Sequence, residues 1–359
     1  MAYTTINKST DYFNTKLYTG NGSAGHGITG VGFQPDWVWI KNRSYSANHM
    51  LYDAVRGATK AVFSNDNAAE NTSSGHLTAF GTDGFTLGDN SGTGSTNGNN
   101  ETYASWNWKA GGAGSANTDG DINSSVSANT TAGFSIVKWT GNGTQSDQEI
   151  GTGLSEELKF VISKPLATGG TTNSWLVYVN GVTDAQDNCL ILESTTGLIT
   201  GASGGTSNKG TTAGRLLIKA GTSGNNNLNN SGTDYIAYCF AEKTGYSKFG
   251  TFTGNGSADG TFCFTGFKPA FVIWKNTTSA GYYWHTMDNK REPNNPAGLN
   301  LFPNLNNAEN DYGDTCDFVS NGFKFRTGSS GINTNGQVYI FMAFGQSLVG
   351  SNNVPCTSR

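Results

Sequence analysis

The sequence predicts an all-β protein made of three tandem β-sandwich domains, jelly-roll-like in arrangement and with almost no helix. The tetrapeptide Thr-Gly-Asn-Gly occurs three times, at 19–22, 140–143 and 253–256, and each copy follows an aromatic-rich segment. Short aromatic and β-branched runs alternate with glycine and asparagine throughout, which is typical of strands joined by tight turns. Repeats of more than 100 residues are long enough to hold cores of their own.

Repeat one supplies the clearest individual elements. Residues 12–18 and 37–42 are rich in aromatic and β-branched side chains and predict strands. The dipeptide Asp83-Gly84 is typical of a β-hairpin turn. An alternating aromatic strand at 103–108 closes the repeat.

The other two repeats follow the same order. Residues 266–276 match 32–42 closely, whereas the middle repeat keeps only the apolar pattern at 158–164. Asn321-Gly322 predicts a hairpin at the place that Asp83-Gly84 takes in repeat one. We therefore expect the following organisation: an attachment segment at 1–10, sandwich repeats at 11–112, 133–244 and 245–348, a linker at 113–132 and a tail at 349–359.

Composition excludes several classes of protein. Of the 359 residues, 13% are charged and 12% aromatic, and the net charge is −4. This is not the composition of a disordered chain, and it offers no basic surface to nucleic acid. No apolar run approaches the roughly 20 residues that span a bilayer. The first residues lack the pattern of a secretory signal, so we expect assembly in a cytoplasm.

The cysteines do not form a framework. The five, at positions 189, 239, 263, 316 and 356, do not recur at equivalent places in the repeats, so disulfides are not expected. None belongs to a C-x-x-C pair, which argues against a zinc site.

Two His-Asp-Arg sets form the best polar constellation of the sequence: His49, Asp53 and Arg56 in repeat one, and His285, Asp288 and Arg291 in repeat three. A histidine beside a carboxylate can act as a general base. The same three side chains can equally hold a loop against a sandwich as a buried ion pair. We favour the structural interpretation, because the middle repeat keeps no histidine and no nucleophile stands beside either set.

Carboxylate clusters offer a weak calcium hypothesis. The candidate ligands are Asp119 and Asp121 in one loop, and Asp311, Asp314 and Asp317 in another. Oxygen-rich loops of this kind can hold Ca²⁺. Aspartates in loops rich in glycine and asparagine are more often turn formers, so we expect neither a metal nor any other cofactor.

The sequence offers residues for sugar binding but not for sugar cleavage. Exposed aromatic rings flanked by asparagine and aspartate are typical of glycan-binding surfaces, and the weak candidates are Trp175, Tyr282, Tyr283 and Trp284. The alternative is that these rings are core residues of strands. Glycoside hydrolysis needs two carboxylates facing one groove. The adjacent Glu156 and Glu157 do not provide that pair, so we expect no enzyme.

Several motifs, in order along nearly the whole chain, carry a resemblance to a known family: the start at 1–6 with Tyr12-Phe13, and the segments 39–43, 49–57, 128–134 and 249–272. Here the sequence resembles uncharacterised repeat domains in virion proteins of marine tailed bacteriophages, including phages of cyanobacteria. The resemblance implies a structural or appendage protein of a phage particle with a sandwich-type fold. It carries no chemistry over to this chain.

We therefore expect a non-enzymatic virion protein, a tail fibre or spike component that attaches to glycan on the host surface. The expected partners are other virion proteins, bound through residues 1–10, and further copies in a homotrimer, with no nucleic acid and no membrane insertion. Deleting residues 1–10 should then leave a folded protein that no longer joins particles. The alternatives are a capsid-decorating or tail-shell protein and a polysaccharide-degrading tailspike.

Overall fold

The computed structural model describes residues 4–167, 174–183, 188–200, 211–212, 214–218 and 228–349. In this part of the chain β-strands dominate, and helix is confined to a single 3₁₀ turn at Ser9–Asp11, which confirms the predicted all-β class. The described residues contain no helix long and apolar enough to cross a membrane.

The strands fall into three sets, called units one, two and three. Unit one holds β1 (Phe13–Thr19), β2 (His26–Thr29), β3 (Trp37–Asn42), β4 (Met50–Asp53), β5 (Lys60–Phe63), β6 (Asn71–Thr72), β7 (Leu77–Gly81), β8 (Gly84–Leu87) and β9 (Thr102–Trp108). Unit two holds β10 (Ser115–Asn117), β11 (Ser124–Asn129), β12 (Phe134–Thr140), β13 (Gln148–Gly151), β14 (Leu158–Pro165), β15 (Leu176–Val179), β16 (Leu190–Ile191), β17 (Thr211–Thr212), β18 (Arg215–Ile218) and β19 (Asp234–Ala241). Unit three holds β20 (Ser247–Thr253), β21 (Phe262–Phe264), β22 (Lys268–Asn276), β23 (Trp284–Asp288), β24 (Ala297–Asn300), β25 (Asn310–Val319), β26 (Gly322–Phe325) and β27 (Val338–Gln346).

Each unit is a sandwich of one large and one small antiparallel sheet. The large sheets have the orders β1-β9-β3-β4-β5-β6, β10-β11-β12-β19-β14-β15-β16 and β20-β27-β22-β23. The small sheets have the orders β2-β8-β7, β13-β18-β17 and β21-β26-β25-β24. The hairpins predicted at Asp83-Gly84 and Asn321-Gly322 join β7 to β8 and β25 to β26, and both are confirmed.

The large sheets are buried on both faces. Along β3 every residue is buried: Val38 and Ile40 face the interior of unit one, whereas Trp37 and Trp39 belong to a cluster shared by all three units, called the central cluster. Side chains on a strand point alternately to its two faces. A strand that is apolar at every position therefore indicates a sheet with no solvated face.

The central cluster has approximate threefold order. Six aromatic residues occupy equivalent places in the registers of the large sheets: Trp37 opposite Trp108, Phe160 opposite Phe240, and Phe271 opposite Phe344. The ring of Phe344 lies 5.8 Å from that of Trp108 and 5.7 Å from that of Phe240, so rings from three units meet in one place. The chain therefore folds as a single body around this cluster.

The repeated Thr-Gly-Asn-Gly motif closes a clasp at the end of each first strand. In unit one, Asn21 and the buried Asn97 bond reciprocally: the Asn21 amide N–H donates to Asn97 Oδ1 at 2.9 Å, and Asn97 Nδ2 donates to Asn21 Oδ1 at 3.3 Å. A Cβ on Gly20 would lie 2.3 Å from the Gly98 carbonyl oxygen, and Gly22 has a φ of 67°. Close backbone approach and positive φ both require glycine, which explains the two glycines of the motif.

The same clasp occurs in the other two units. Asn142 pairs with Asn229, and Asn255 with Asn333, through the same bonds. A tyrosine six residues after each buried asparagine accepts a hydrogen bond from the clasp backbone: Tyr103, Tyr235 and Tyr339. This Asn-x₅-Tyr spacing recurs in the sequence and accompanies every copy of the motif.

The segment 113–132, for which we expected a linker, instead contributes β10 and β11 to the large sheet of unit two. Ile122 and Val126 are buried in the core of that unit. Two apolar side chains and backbone pairing are enough to order a stretch whose composition is otherwise that of a flexible connection. The predicted tail at 349–359 lies outside the described residues except for Val349.

Residues 4–10 pack on the chain itself, which corrects the expectation that this segment is reserved for attachment to other proteins. Ile6 is 1% exposed and belongs to the central cluster. The Ser9 amide N–H donates to Gln346 Oε1 at 2.7 Å, which ties the N-terminal residues to the last strand of unit three. Deleting residues 1–10 would therefore uncover part of the core.

Cysteines 189, 239, 263 and 316 are buried, and Cys356 lies outside the described residues.

We predict that Ile6→Ala lowers the free energy of unfolding by about 2–4 kcal/mol, because truncating a buried isoleucine loses transfer energy and leaves a cavity. Urea denaturation followed by tryptophan fluorescence measures the change. Lys8→Ala is the control, since Lys8 forms only an exposed ion pair with Asp11 and should change stability by less than about 0.5 kcal/mol. Equal stability of Ile6→Ala and the native chain would contradict this role for the N-terminal residues.

Candidate functional site

The first His-Asp-Arg candidate lies at the contact between units one and two. Arg56 Nε donates to Asp53 Oδ2 at 2.5 Å, and its Nη1 donates to Glu70 at 3.2 Å. From unit two, the Tyr238 hydroxyl donates to the same Asp53 oxygen at 2.9 Å. The side chains of Asp53 and Arg56 have no solvent exposure. This aspartate therefore joins two units rather than facing a substrate.

The second set repeats the arrangement between units three and one. Arg291 Nε donates to Asp288 Oδ2 at 2.6 Å, and Trp106 Nε1 from unit one donates to that oxygen at 3.0 Å. Glu309 accepts from Arg291 at 2.9 Å and from Arg43 of unit one at 2.7 Å. The result is a buried ionic network across the contact between units three and one. The contact region between any two units is called a seam below.

At the seam between units two and three, apolar side chains take the positions of the ionic network. Val179 lies opposite Phe160 just as Asp53 lies opposite Trp37, and Val182 takes the place of the arginine. Met342 replaces the tyrosine or tryptophan donor at the matching register position. It belongs with Val179 to the central cluster, and Val182 packs against that cluster. This seam therefore lacks all three polar groups of the other two seams: the aspartate carboxylate, the arginine paired with it, and the tyrosine or tryptophan that donates to it.

The predicted sugar-binding tryptophans also lie in seams. Trp175 of unit two donates its indole N–H to the Phe63 carbonyl of unit one at 2.7 Å, and Trp284 of unit three donates to the Ile191 carbonyl of unit two at 3.0 Å. Both are essentially unexposed, so neither ring has a face available to a ligand. Of the other two candidates, Tyr282 is half-buried and Tyr283 is exposed.

His49 occupies the place of these tryptophans in unit one. Its Nδ1 accepts from Trp39 Nε1 at 2.8 Å, and its buried Nε2 has no hydrogen-bond partner among the described residues. Burial lowers its pKa well below the usual value, and the nearby charge of Lys41 lowers it further. A neutral imidazole with no exposure cannot serve as a base for a bound substrate.

The match between His49 and His285 was wrong by one residue. His285 lies opposite Trp274 in the sheet and stacks on its ring at 4.9 Å, inside unit three, while its neighbour Trp284 is the true equivalent of His49. Burial lowers the pKa of His285 to about 4. Neighbouring strand residues point to opposite faces, so a shift of one places the two histidines in different surroundings.

The calcium candidates are not brought together. Asp119 forms an ion pair with Arg215, and Asp121 accepts from the Glu149 amide N–H at 2.9 Å. In the other loop, Asp311 and Asp314 are exposed, whereas Asp317 pairs with Arg326 at 2.5 Å. No group of three or more potential metal-ligating histidines, cysteines or acidic residues occurs in the described part of the chain.

Three buried lysines were missed by sequence reasoning. Lys41, Lys164 and Lys275 take equivalent positions on β3, β14 and β22, and all are unexposed. Each bonds a carbonyl: Lys164 Nζ donates to the Asn67 carbonyl of unit one at 2.9 Å, and Lys41 Nζ to the Asn306 carbonyl of unit three at 3.2 Å. Burial lowers the pKa of Lys41 to about 7 and those of Lys164 and Lys275 to about 8.

A signal for these lysines was present in the sequence. A lysine ends the apolar run of the corresponding strand in every repeat. A charged residue at one fixed place in three copies indicates a shared buried contact.

A family model described as a domain of unknown function, DUF7483, matches residues 8–347 and so spans all three units. No curated protein and no solved structure matches the chain.

Replacing Asp53 alone by valine should lower the free energy of unfolding by about 3–5 kcal/mol, because Arg56 loses its main partner while remaining buried. The triple change Asp53→Val, Arg56→Val and Tyr238→Met copies the three apolar residues found at the equivalent positions of the seam between units two and three. We expect it to recover most of the loss. Urea denaturation of the single and triple variants measures both effects. A triple variant no more stable than the single one would show that the polar groups cannot be exchanged as a set.

The buried lysines should each make a contribution to the free energy of unfolding that rises with pH above neutrality. An unfolded lysine has a pKa of about 10.4, so between pH 7 and pH 10 the unfolded chain holds a proton that folded Lys41 has released. The contribution of Lys41 to the free energy of unfolding therefore increases as pH rises, and it is lost as pH falls to 7. Between pH 7 and pH 9.5 the gain from Lys41 is about 3 kcal/mol.

The Lys41→Met variant should show a correspondingly flatter pH profile of stability. Urea midpoints measured at several pH values provide the test, with the exposed Lys8→Met as control. Parallel profiles for Lys41→Met and the native chain would refute the contribution of Lys41.

Proposed function

Since the chain belongs to the DUF7483 family, whose function is unknown, we propose its role from its geometry and motifs: it is a non-enzymatic structural protein of a phage particle, a tail fibre or spike component that contacts the host surface. The observation that carries this proposal is the use of both His-Asp-Arg sets in contacts within or between units. Side chains committed to buried packing contacts serve rigidity rather than turnover. The sequence resemblance to virion repeat domains supports placing the protein on a particle.

The approximate threefold order supports an appendage role. Three sandwiches around one cluster give a single chain the symmetry that a homotrimer would otherwise provide. One copy can therefore sit on a threefold axis of an assembly. Threefold symmetry could then come from the three units of a single chain or from the homotrimer expected from the sequence.

The edge of one small sheet supports contact with other particle proteins. β21 is an edge strand, and its Phe262 and Phe264 are 46% and 60% exposed. In unit two the chain covers the corresponding edge itself, through a bridge between Gly120 and Ile150 of β13. Exposed apolar edge strands tend to pair with other chains. We place the attachment to a neighbouring protein here, rather than at residues 1–10.

Immunogold labelling of purified particles tests the proposal. We expect label at the tail, in one location per particle type, and protein that co-purifies with particles in stoichiometric amount. Label spread over the capsid would favour the decorating role instead, and absence from purified particles would overturn the proposal.

The double variant Phe262→Ser and Phe264→Ser should fold and yet fail to join particles. Tyr312→Ser, which alters another exposed ring of unit three, serves as the matched control. Normal incorporation of the double variant would remove β21 as the attachment edge.

A further inference from the structure

A hollow of about 350 Å³ opens at the seam between units three and one. Its lining includes Tyr45, Asn48, Asn90, Ser95 and Glu101 from unit one and Asn306 from unit three. The volume is at the low end for sites that hold small molecules. None of these residues belongs to the buried ion-pair networks described above, so the hollow is a separate feature of the surface.

Tyr45 is presented to solvent by a loop that is held in place. Its side chain is 62% exposed, the largest value among the exposed apolar and aromatic side chains of the described residues. The main chain of the loop is nevertheless fixed: Asn42 Oδ1 accepts from the Tyr45 amide N–H at 2.8 Å, and Ala47 N–H donates to the Asn306 carbonyl at 2.9 Å. An aromatic ring on a fixed loop is a stacking surface that loses little entropy on binding.

Glu101 is oriented by three polar groups around a single oxygen. Its Oε2 accepts from Asn42 Nδ2 at 2.5 Å and lies 2.7 Å from Tyr103 Oη and 3.0 Å from Ser95 Oγ, two hydroxyl groups that also bond each other at 2.6 Å. Its Oε1 receives no hydrogen bond from the described residues. A carboxylate held by one oxygen offers the other as a strong acceptor for a hydroxyl group.

Unit three provides an internal comparison, because it has the same frame without the open groups. Asn276 again bonds the following loop, but Ser279 replaces Tyr45 and Gln337 replaces Glu101. There the Gln337 amide donates to Ser279 Oγ at 3.0 Å, and the two side chains satisfy each other. In unit one the ring of Tyr45 and the carboxylate of Glu101 do not bond each other, whereas the equivalent side chains of unit three do.

We propose that this hollow binds a neutral saccharide, an inference that rests on the proposed contact with the host surface. The apolar C–H face of a sugar ring packs on an aromatic ring such as Tyr45. The carboxylate of Glu101 and the amide groups of Asn48 and Asn90 match ligand hydroxyls. Because Glu101 is negative, uronic and sialic acids are excluded by charge repulsion.

Saturation-transfer NMR on the full chain, with a panel of neutral and uronic methyl glycosides, tests the inference. We expect transfer to at least one neutral glycoside and none to the uronic ones. Tyr45→Ala should weaken binding at least tenfold, whereas Tyr45→Phe, which keeps the ring, should stay within threefold. Glu101→Gln, the residue found in unit three, should weaken binding severalfold, and Tyr312→Ala should leave it unchanged.

Three outcomes would overturn the inference: no transfer to any neutral glycoside, binding that survives Tyr45→Ala in a folded protein, or preference for the uronic glycosides. Circular dichroism of each variant establishes that it is folded. Particle labelling keeps the two proposals apart. A negative panel with label at the tail removes the saccharide site alone, whereas absence from particles removes the proposed function whatever the panel shows.

Discussion

The rest of the structure depends on the burial of each large sheet on both of its faces. A sandwich usually leaves the outer face of each sheet in water, but here three outer faces pack on one aromatic cluster. Polar side chains on those faces then lose their access to solvent, which favours hydrogen-bond partners inside the protein. The aspartate–arginine pairs, the indole bonds to carbonyls and the buried lysines all answer this requirement, and all lie near seams.

The three seams show that polar and apolar solutions can serve the same geometry. Two seams use Asp53 with Tyr238 and Asp288 with Trp106, and the third uses Val179 with Met342. A buried ion pair does not by itself add stability over well-packed apolar groups. We interpret the polar seams as setting which unit faces which, since a carboxylate paired with the valine and methionine surfaces would remain without a donor.

Much of the fold follows from local patterns in the sequence. The Thr-Gly-Asn-Gly copies marked the repeats, and the hairpin dipeptides and alternating aromatics gave the strands that the structure contains. The joint packing of the repeats could not be predicted in this way, although Trp37-Val38-Trp39-Ile40 already lacked the polar alternation of a solvated sheet. Residues 113–132 were misjudged because backbone pairing, which their composition does not encode, holds most of them.

The candidate site was harder to predict, because residue types do not reveal exposure. Trp175 and Trp284 have the chemistry of sugar-stacking rings but lie in seams, while Tyr45, in an unremarkable loop, keeps its ring in solvent. The histidine pairing failed for a related reason, since a strand register must be known to one residue before faces can be compared.

The covalent joining of the three units has a consequence for how the protein survives dilution. Subunits of a non-covalent trimer separate as their concentration falls, because association depends on it. Here the connecting segments hold each sandwich at a high effective concentration around the central cluster, so assembly of the body is independent of how many copies a cell makes. A protein present in few copies can therefore keep its threefold shape. Because the three units are parts of one sequence, their surface residues can also differ from one unit to the next.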